Sequence, residues 1–197
     1  MKKLFGLKKF HLIKTAVFIS GTGSNLKNLI KFSSTKKSPI KIIQVVSSNS
    51  KARGLVFAKK YKIRYKVYDF KKKIKDENEI LTSLNKNKID LICLAGFMKI
   101  LSKKFIKKFN GKILNIHPSL LPKYKGLNTH SRAIANNEKF SGCTVHFVNS
   151  KLDSGRIILQ KKVRIYKKDT PQILAKRILK EEHVLYPKAL IKVFSSL

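Results

Sequence analysis

Apolar residues along this chain fall into short unbroken runs alternating with stretches of helical spacing. Thr15-Ala16-Val17-Phe18-Ile19 is such a run and predicts a buried strand. It is closed by Ser20-Gly21-Thr22-Gly23-Ser24-Asn25, after which Leu26, Leu29 and Ile30 recur at the spacing of a helix. The same alternation continues. Strands are predicted over Ile40 to Val46, Tyr65 to Tyr68, Asp90 to Ala95 and Ile113 to Ile116. Helices are predicted over Ala52 to Tyr61, with Leu55, Val56 and Ala58 inward, over Glu77 to Asn85, and from the capping Ser102 through Phe109. Five strands with four intervening helices demand a mostly parallel, twisted, Rossmann-like sheet with helices on both faces. The rhythm then changes. Thr129 to Ala135 reads as helix, but Cys143 to Val148 and Arg156 to Val163 read as consecutive strands, hence an antiparallel C-terminal part. Thr170-Pro171 opens a closing helix with a cap and a first-turn proline, and Ile173, Leu174, Ile178, Leu179 and Val184 form its apolar stripe. No repeat, linker or compositional shift divides the 197 residues, so one domain is expected.

Charge complicates the picture. Forty-five Lys and Arg face ten Asp and Glu, a net charge of +35. A nucleic-acid binder concentrates its basic residues on one face or in a tail. Here lysine pairs are scattered from Lys2-Lys3 to Lys167-Lys168, and Ile and Asn are abundant too. This reads as a lysine-rich compositional drift, with no nucleic-acid partner expected beyond non-specific attraction. Cys93 and Cys143 sit inside apolar runs without metal or redox spacing, as reduced cytoplasmic thiols do. Residues 1–14 read as a basic extension too broken for a signal peptide, and no later run is long enough to cross a bilayer. A soluble, cytoplasmic protein is the expectation.

The chemistry concentrates where Ile113-Leu114-Asn115-Ile116-His117 meets Pro118. Two apart on a strand, Asn115 and His117 face the same side. An amide donor and an imidazole, joined by a later carboxylate at Asp153, suit a reaction through an oxyanion with a proton transfer. In an open parallel sheet ligands bind beyond the carboxyl ends of the strands, where Gly21 to Asn25, Gly96 to Leu101 and Asn115 to Pro122 all lie. The first of these loops has no third glycine and no following Gly-Lys pair, so it is neither a dinucleotide fingerprint nor a P-loop. A seat for one small phosphate at a helix N-terminus remains.

Five motifs in order, Ser20 to Asn25, Leu94 to Leu101, Asn115 to Pro122, Leu152-Asp153-Ser154-Gly155 and Glu182 to Pro187, resemble the phosphoribosylglycinamide formyltransferase family over nearly the whole chain. The resemblance implies transfer of a formyl group from 10-formyltetrahydrofolate to the amine of phosphoribosylglycinamide in purine synthesis, without metal. It assigns Asn115, His117 and Asp153 to catalysis, Gly23, Ser24 and Asn25 to the ribose phosphate, and Glu182 to the ribose hydroxyls. Met98, Lys99, Ile100 and Leu101 would hold the pterin. Asp153 against the imidazole would favour its charged form. His130 and His146 read as structural. Departures from the family pattern are Lys99 for a frequent Arg, Lys125 for Pro and Asn128 for His. A folate-carboxylate Arg of the family would fall near Lys73. Methionyl-tRNA formyltransferase shares the trio, but usually with a further RNA-binding domain for which this length leaves no room. Formyltetrahydrofolate deformylase needs an N-terminal regulatory domain longer than residues 1–14. A non-catalytic basic RNA-binding module explains the charge and not the ordered motifs.

Overall fold

In the computed structural model, which describes residues 12–194, the strands join into one seven-stranded sheet. Five run parallel: β1 (Ile13–Ile19), β2 (Ile40–Ser47), β3 (Arg64–Val67), β4 (Leu91–Leu94) and β5 (Lys112–His117). β6 (Phe140–Phe147) and β7 (Ile157–Arg164) complete it antiparallel, in the spatial order β3-β2-β1-β4-β5-β6-β7. The helices are α1 (Ser24–Ser33), α2 (Leu55–Lys60), α3 (Lys73–Lys86), α4 (Lys103–Lys108), α5 (Thr129–Ala135) and α6 (Pro171–Phe194). The expected mostly parallel sheet with an antiparallel end is what forms. Strand order reverses between β1 and β4, and such a reversal opens a crevice at the carboxyl ends of the strands.

Alternation along the strands divides the core. Val17 and Ile19 face a cluster with Leu26 and Leu29 of α1 and Leu174, Ile178 and Tyr186 of α6. Ala16 and Phe18 face the other side, against Ile80 and Leu84 of α3 and Phe105 of α4. Helices therefore cover both faces, as a parallel sheet buried on both sides requires. Among the described residues no helix is long and apolar enough to cross a membrane.

Several boundaries differ from the sequence reading, each for a local reason. The expected extension lies outside the described residues as far as His11, but Ile13 and Lys14 pair with Ile40 and Lys41 and belong to β1. α2 starts at Leu55, not Ala52, because the Gly54 N–H is held by the Gly21 carbonyl (3.0 Å), and Val56 is exposed. α3 begins four residues before Glu77, in a lysine run that carries no apolar signal. β6 begins at Phe140 because Ser141 and Gly142, polar or small in sequence, are buried partners of β7.

In α6 the inward stripe runs through Leu174, Ile178, Glu182, Leu185, Tyr186 and Leu190, while Ile173 and Val184 are exposed. A glutamate occupies the inward position after Ile178, so the apolar pattern in sequence slips to the wrong face. Thr170 Oγ1 accepts the Ile173 N–H (3.3 Å), the expected cap. Pro187 stands inside α6 and cannot donate to the carbonyl four residues before it, that of His183. Asn28 of α1 donates its side-chain amide to that carbonyl at 2.6 Å. The buried Tyr186 hydroxyl bonds the carbonyls of Leu94 (3.2 Å) and Leu114 (3.1 Å), tying α6 to the end of β4 and the middle of β5.

Candidate active site

Asn115 and His117 lie at the end of β5, where β6 pairs antiparallel and sets His146 opposite Asn115 and Thr144 opposite His117. The segment after β6 turns at Asn149, whose Oδ1 accepts the Lys151 N–H (2.9 Å). It then returns over the strand end, because Gly155 lies where any Cβ would be 1.7 Å from the Phe147 carbonyl oxygen. Asp153 takes a left-handed conformation (φ 43°), one that Asp tolerates better than most residues. Its carboxylate reaches the end of β5.

The imidazole of His117 sits between two acceptors. Its Nε2–H donates to the Tyr124 carbonyl at 2.9 Å, and Nδ1 lies 3.4 Å from Asp153 Oδ2. Both side chains are nearly buried, 7% and 8% exposed, so little water screens the pair. A carbonyl on one side and a carboxylate on the other match a ring protonated on both nitrogens. Asp153 Oδ2 also accepts the Gly126 N–H (2.9 Å), and Oδ1 lies 3.5 Å from Asn115 Nδ2.

His146 is the residue that the sequence reading left out of the site. Its Nδ1–H donates to the Phe147 carbonyl (2.8 Å), which leaves Nε2 as the acceptor for Asn115 Nδ2 at 3.2 Å. Burial pushes the ring pKa below its ordinary value, against the opposing pull of the Phe147 bond and of Asp153, so the ring is kept neutral. One N–H of the Asn115 amide is thus held by His146, and the other meets Asp153 Oδ1 only at a long 3.5 Å. A histidine within an apolar strand gives no local signal of this; the β5–β6 register does. Burial also lowers the pKa of His130, with His117 contributing, and its Nδ1 is buried without a partner.

The residues expected to hold a phosphate and a ribose converge. Gly23 caps α1 with φ 73°, and a Cβ there would come within 2.3 Å of Gly54 Cα, so the close crossing of the two backbones requires glycine. Ser24 and Asn25 open α1, where unpaired N–H groups favour an anion. Asn25 donates to Glu182 Oε2 at 2.6 Å across 157 residues of sequence, while its own Oδ1 is buried and unpartnered. Glu182 is buried, and its carboxyl is pushed up to about 7 by that burial, with the Asn25 bond pulling the other way.

The loop after β4 is pinned at both ends. The Ser20 N–H donates to the Gly96 carbonyl (3.0 Å), and the Met98 N–H donates to Ser20 Oγ (2.8 Å). At the far end the buried Glu77 accepts both the N–H (2.8 Å) and the hydroxyl of Ser102, which in turn caps α4. Between these anchors Met98 and Ile100 stand about two-thirds exposed, an apolar surface that a flat ligand would cover, while Leu101 turns into the core. Lys99, Ile100 and Leu101, with Asn115, His146 and Asp153, line a cleft of about 100 Å³, whereas Met98 and His117 are not among its lining residues. A larger groove of about 720 Å³ lies elsewhere, between β3 and α3, and contains none of these groups. Lys73 is exposed at the start of α3. Both thiols are buried and pushed up to about 12 by burial, which leaves them inert.

Comparison with known proteins places this geometry in context. A family described as formyl transferase matches residues 13–190. The chain is 45% identical over 177 residues to a phosphoribosylglycinamide formyltransferase of Haemophilus influenzae, covering 88% of this chain and 84% of that protein. It is 43% identical to the human trifunctional purine biosynthetic protein adenosine-3 over 92% of its own length, and spans 18% of that protein. Among solved structures, a phosphoribosylglycinamide formyltransferase from Anaplasma phagocytophilum superposes with a TM-score of 0.88 at 46% identity, covering 93% of this chain and 87% of the other. One from Brucella melitensis superposes with the same score at 43% identity, covering 95% and 98%.

Proposed function

Because the chain belongs to the formyl transferase family, we propose that Asn115, His117 and Asp153 catalyse direct transfer of a formyl group from 10-formyltetrahydrofolate to the amine of phosphoribosylglycinamide. The activity is formyl transfer in de novo purine biosynthesis. The observation that carries the assignment of the trio is the imidazole of His117 held between the Tyr124 carbonyl and the Asp153 carboxylate, with the Asn115 amide beside it.

Attack by the amine on the formyl carbon gives a tetrahedral centre with negative charge on oxygen. The donors to that oxygen are the Asn115 N–H and the His117 Nδ1–H, which face Asp153 at the long distances of 3.5 and 3.4 Å. They turn to the oxyanion as it forms, while His117 Nε2–H stays on the Tyr124 carbonyl. Asp153 holds the ring in place and takes part in moving the proton lost by the amine to the folate nitrogen. That nitrogen leaves with the electron pair of its bond to the formyl carbon as the tetrahedral centre collapses. Gly23, Ser24 and Asn25 receive the ribose phosphate, and Glu182 the ribose hydroxyls. The apolar surface of the loop from Met98 to Leu101 receives the pterin. No step in this scheme calls on a metal ion. We read the chain as a single formyltransferase domain working on small molecules in the cytoplasm, its excess lysines attracting nucleic acid without specificity.

Purified protein offered formylated folate with phosphoribosylglycinamide, and separately with initiator methionyl-tRNA, is expected to formylate the first alone. Product on the tRNA, or on neither, overturns the proposal. His146→Leu removes the acceptor that orients Asn115 and is expected to lower kcat about ten-fold with little change in either KM, as loss of one positioned hydrogen bond does. An unchanged kcat contradicts the role given to the Asn115 amide.

A further inference from the structure

The segment after His117 has its own anchor outside the cleft. Tyr124 adopts a left-handed conformation (φ 56°) that directs its carbonyl to His117 Nε2. Its phenol lies among groups around α5, donating to Glu138 Oε1 (2.9 Å) and accepting from Asn136 Nδ2 (3.0 Å). Glu138 Oε1 also accepts from Lys123 Nζ at 2.7 Å. Arg132 lies over the Tyr124 ring, 5.3 Å from its centroid, and donates to the Lys125 carbonyl at 2.7 Å. Two residues beyond Tyr124, the Gly126 N–H reaches Asp153 Oδ2. One loop therefore touches both members of the His117–Asp153 pair, and its tether is an acid in a chain with ten acids against 45 cations. Glu138 is only partly exposed and held below the usual carboxylate range by the Lys123 and Tyr124 hydrogen bonds, so it is charged when the loop is in place.

We propose that Glu138 and the Tyr124 phenol form a latch that sets the His117 ring for catalysis through the Tyr124 carbonyl. Both are positioning residues, and neither touches substrate. The inference rests on the reading of His117 as a catalytic residue. Without the phenol's partners, residues 123–126 keep only the Arg132 contacts to α5, and Tyr124 itself is no longer held. The carbonyl then leaves Nε2, and the ring is free to turn away from Asp153. Substrate-binding loops lie on other elements, so the loss falls on turnover and not on binding.

The test uses the full chain with Tyr124→Phe, Glu138→Gln and Glu138→Asp. Steady-state kinetics with both substrates are combined with NMR of histidine-labelled protein, which reports the Nε2–H hydrogen bond of His117. Expected for Tyr124→Phe and Glu138→Gln is a fall in kcat of about ten-fold with both KM values within about two-fold of the parent. Glu138→Asp restores most of the rate, and the His117 Nε2–H resonance shifts and exchanges faster in the two impaired variants. A kcat within about two-fold of the parent in both variants, a loss expressed in KM alone, or an unchanged His117 resonance overturns the latch. Glu138 lies at the molecular rim, so its variants decide the matter even if Tyr124→Phe fails to fold. If the parent forms no formylated nucleotide, the proposed function falls. The resonance of His117 still tests the latch.

Discussion

Replacing Asp153 by Asn is expected to lower kcat by about two decades or more while the protein stays folded, in the range usual for removing an acid–base or oxyanion-stabilising group. The substitution is a clean one. Asn tolerates the left-handed backbone at 153 as Asp does, and its side-chain oxygen can still accept the Gly126 N–H. What disappears is the negative charge 3.4 Å from His117 Nδ1, inside a pocket too dry to replace it with water. The ring loses the carboxylate that faces Nδ1 and orients it, and with it the setting of that N–H towards the oxyanion. Turnover at saturating concentrations of both substrates measures the effect, with circular dichroism to confirm the fold. Retention of kcat within about a factor of two would remove Asp153 from the mechanism.

Glu182→Gln is expected to move binding and stability in opposite directions. Burial raises the carboxyl from its ordinary 4.5 to about 7. The folded state therefore holds the proton more tightly than the unfolded chain. The stability this group contributes is full below about pH 4.5 and is lost as pH rises through about 7, a loss on the order of 3 kcal/mol. Glutamine cannot ionise, yet it keeps an oxygen for the Asn25 amide. The variant should therefore match the parent near about pH 4 and exceed it in denaturant resistance at about pH 8. Its KM for phosphoribosylglycinamide should rise about ten-fold or more, the value of a charged hydrogen bond to a hydroxyl. A variant no more stable than the parent at the higher pH contradicts the buried, ionising glutamate. An unchanged KM contradicts its place at the ribose.

How far such features could be read in advance depended on whether their cause was local. The strand ending in Asn115-Ile116-His117-Pro118 announces itself, since the apolar run, the two-residue spacing and the proline are contiguous. α5 begins and ends where its sequence indicated, at Thr129 and Ala135. His146 could not be read this way, because its role comes from standing opposite Asn115 across a strand pair 31 residues apart. The Tyr124 carbonyl carries no side-chain signature at all. Val184 misleads for a physical reason: a buried glutamate holds the core-facing position two residues earlier, and residues two apart on a helix do not share a face. The sequence pattern places Glu77 only as the first residue of a helix, whereas its buried carboxylate braces the cap of α4.

The proline within α6 has a further consequence. A regular helix can creep along its neighbour by trading one set of side-chain contacts for another, because its own backbone bonds are indifferent to the shift. At Pro187 that indifference ends, since one carbonyl must be met from outside and Asn28 is the group that meets it. The joint works as an index mark, admitting one axial setting of α6 on α1. Glu182 precedes the repaired carbonyl by a single residue, so the gap in the ladder fixes how deeply an ionisable group is inserted against Asn25.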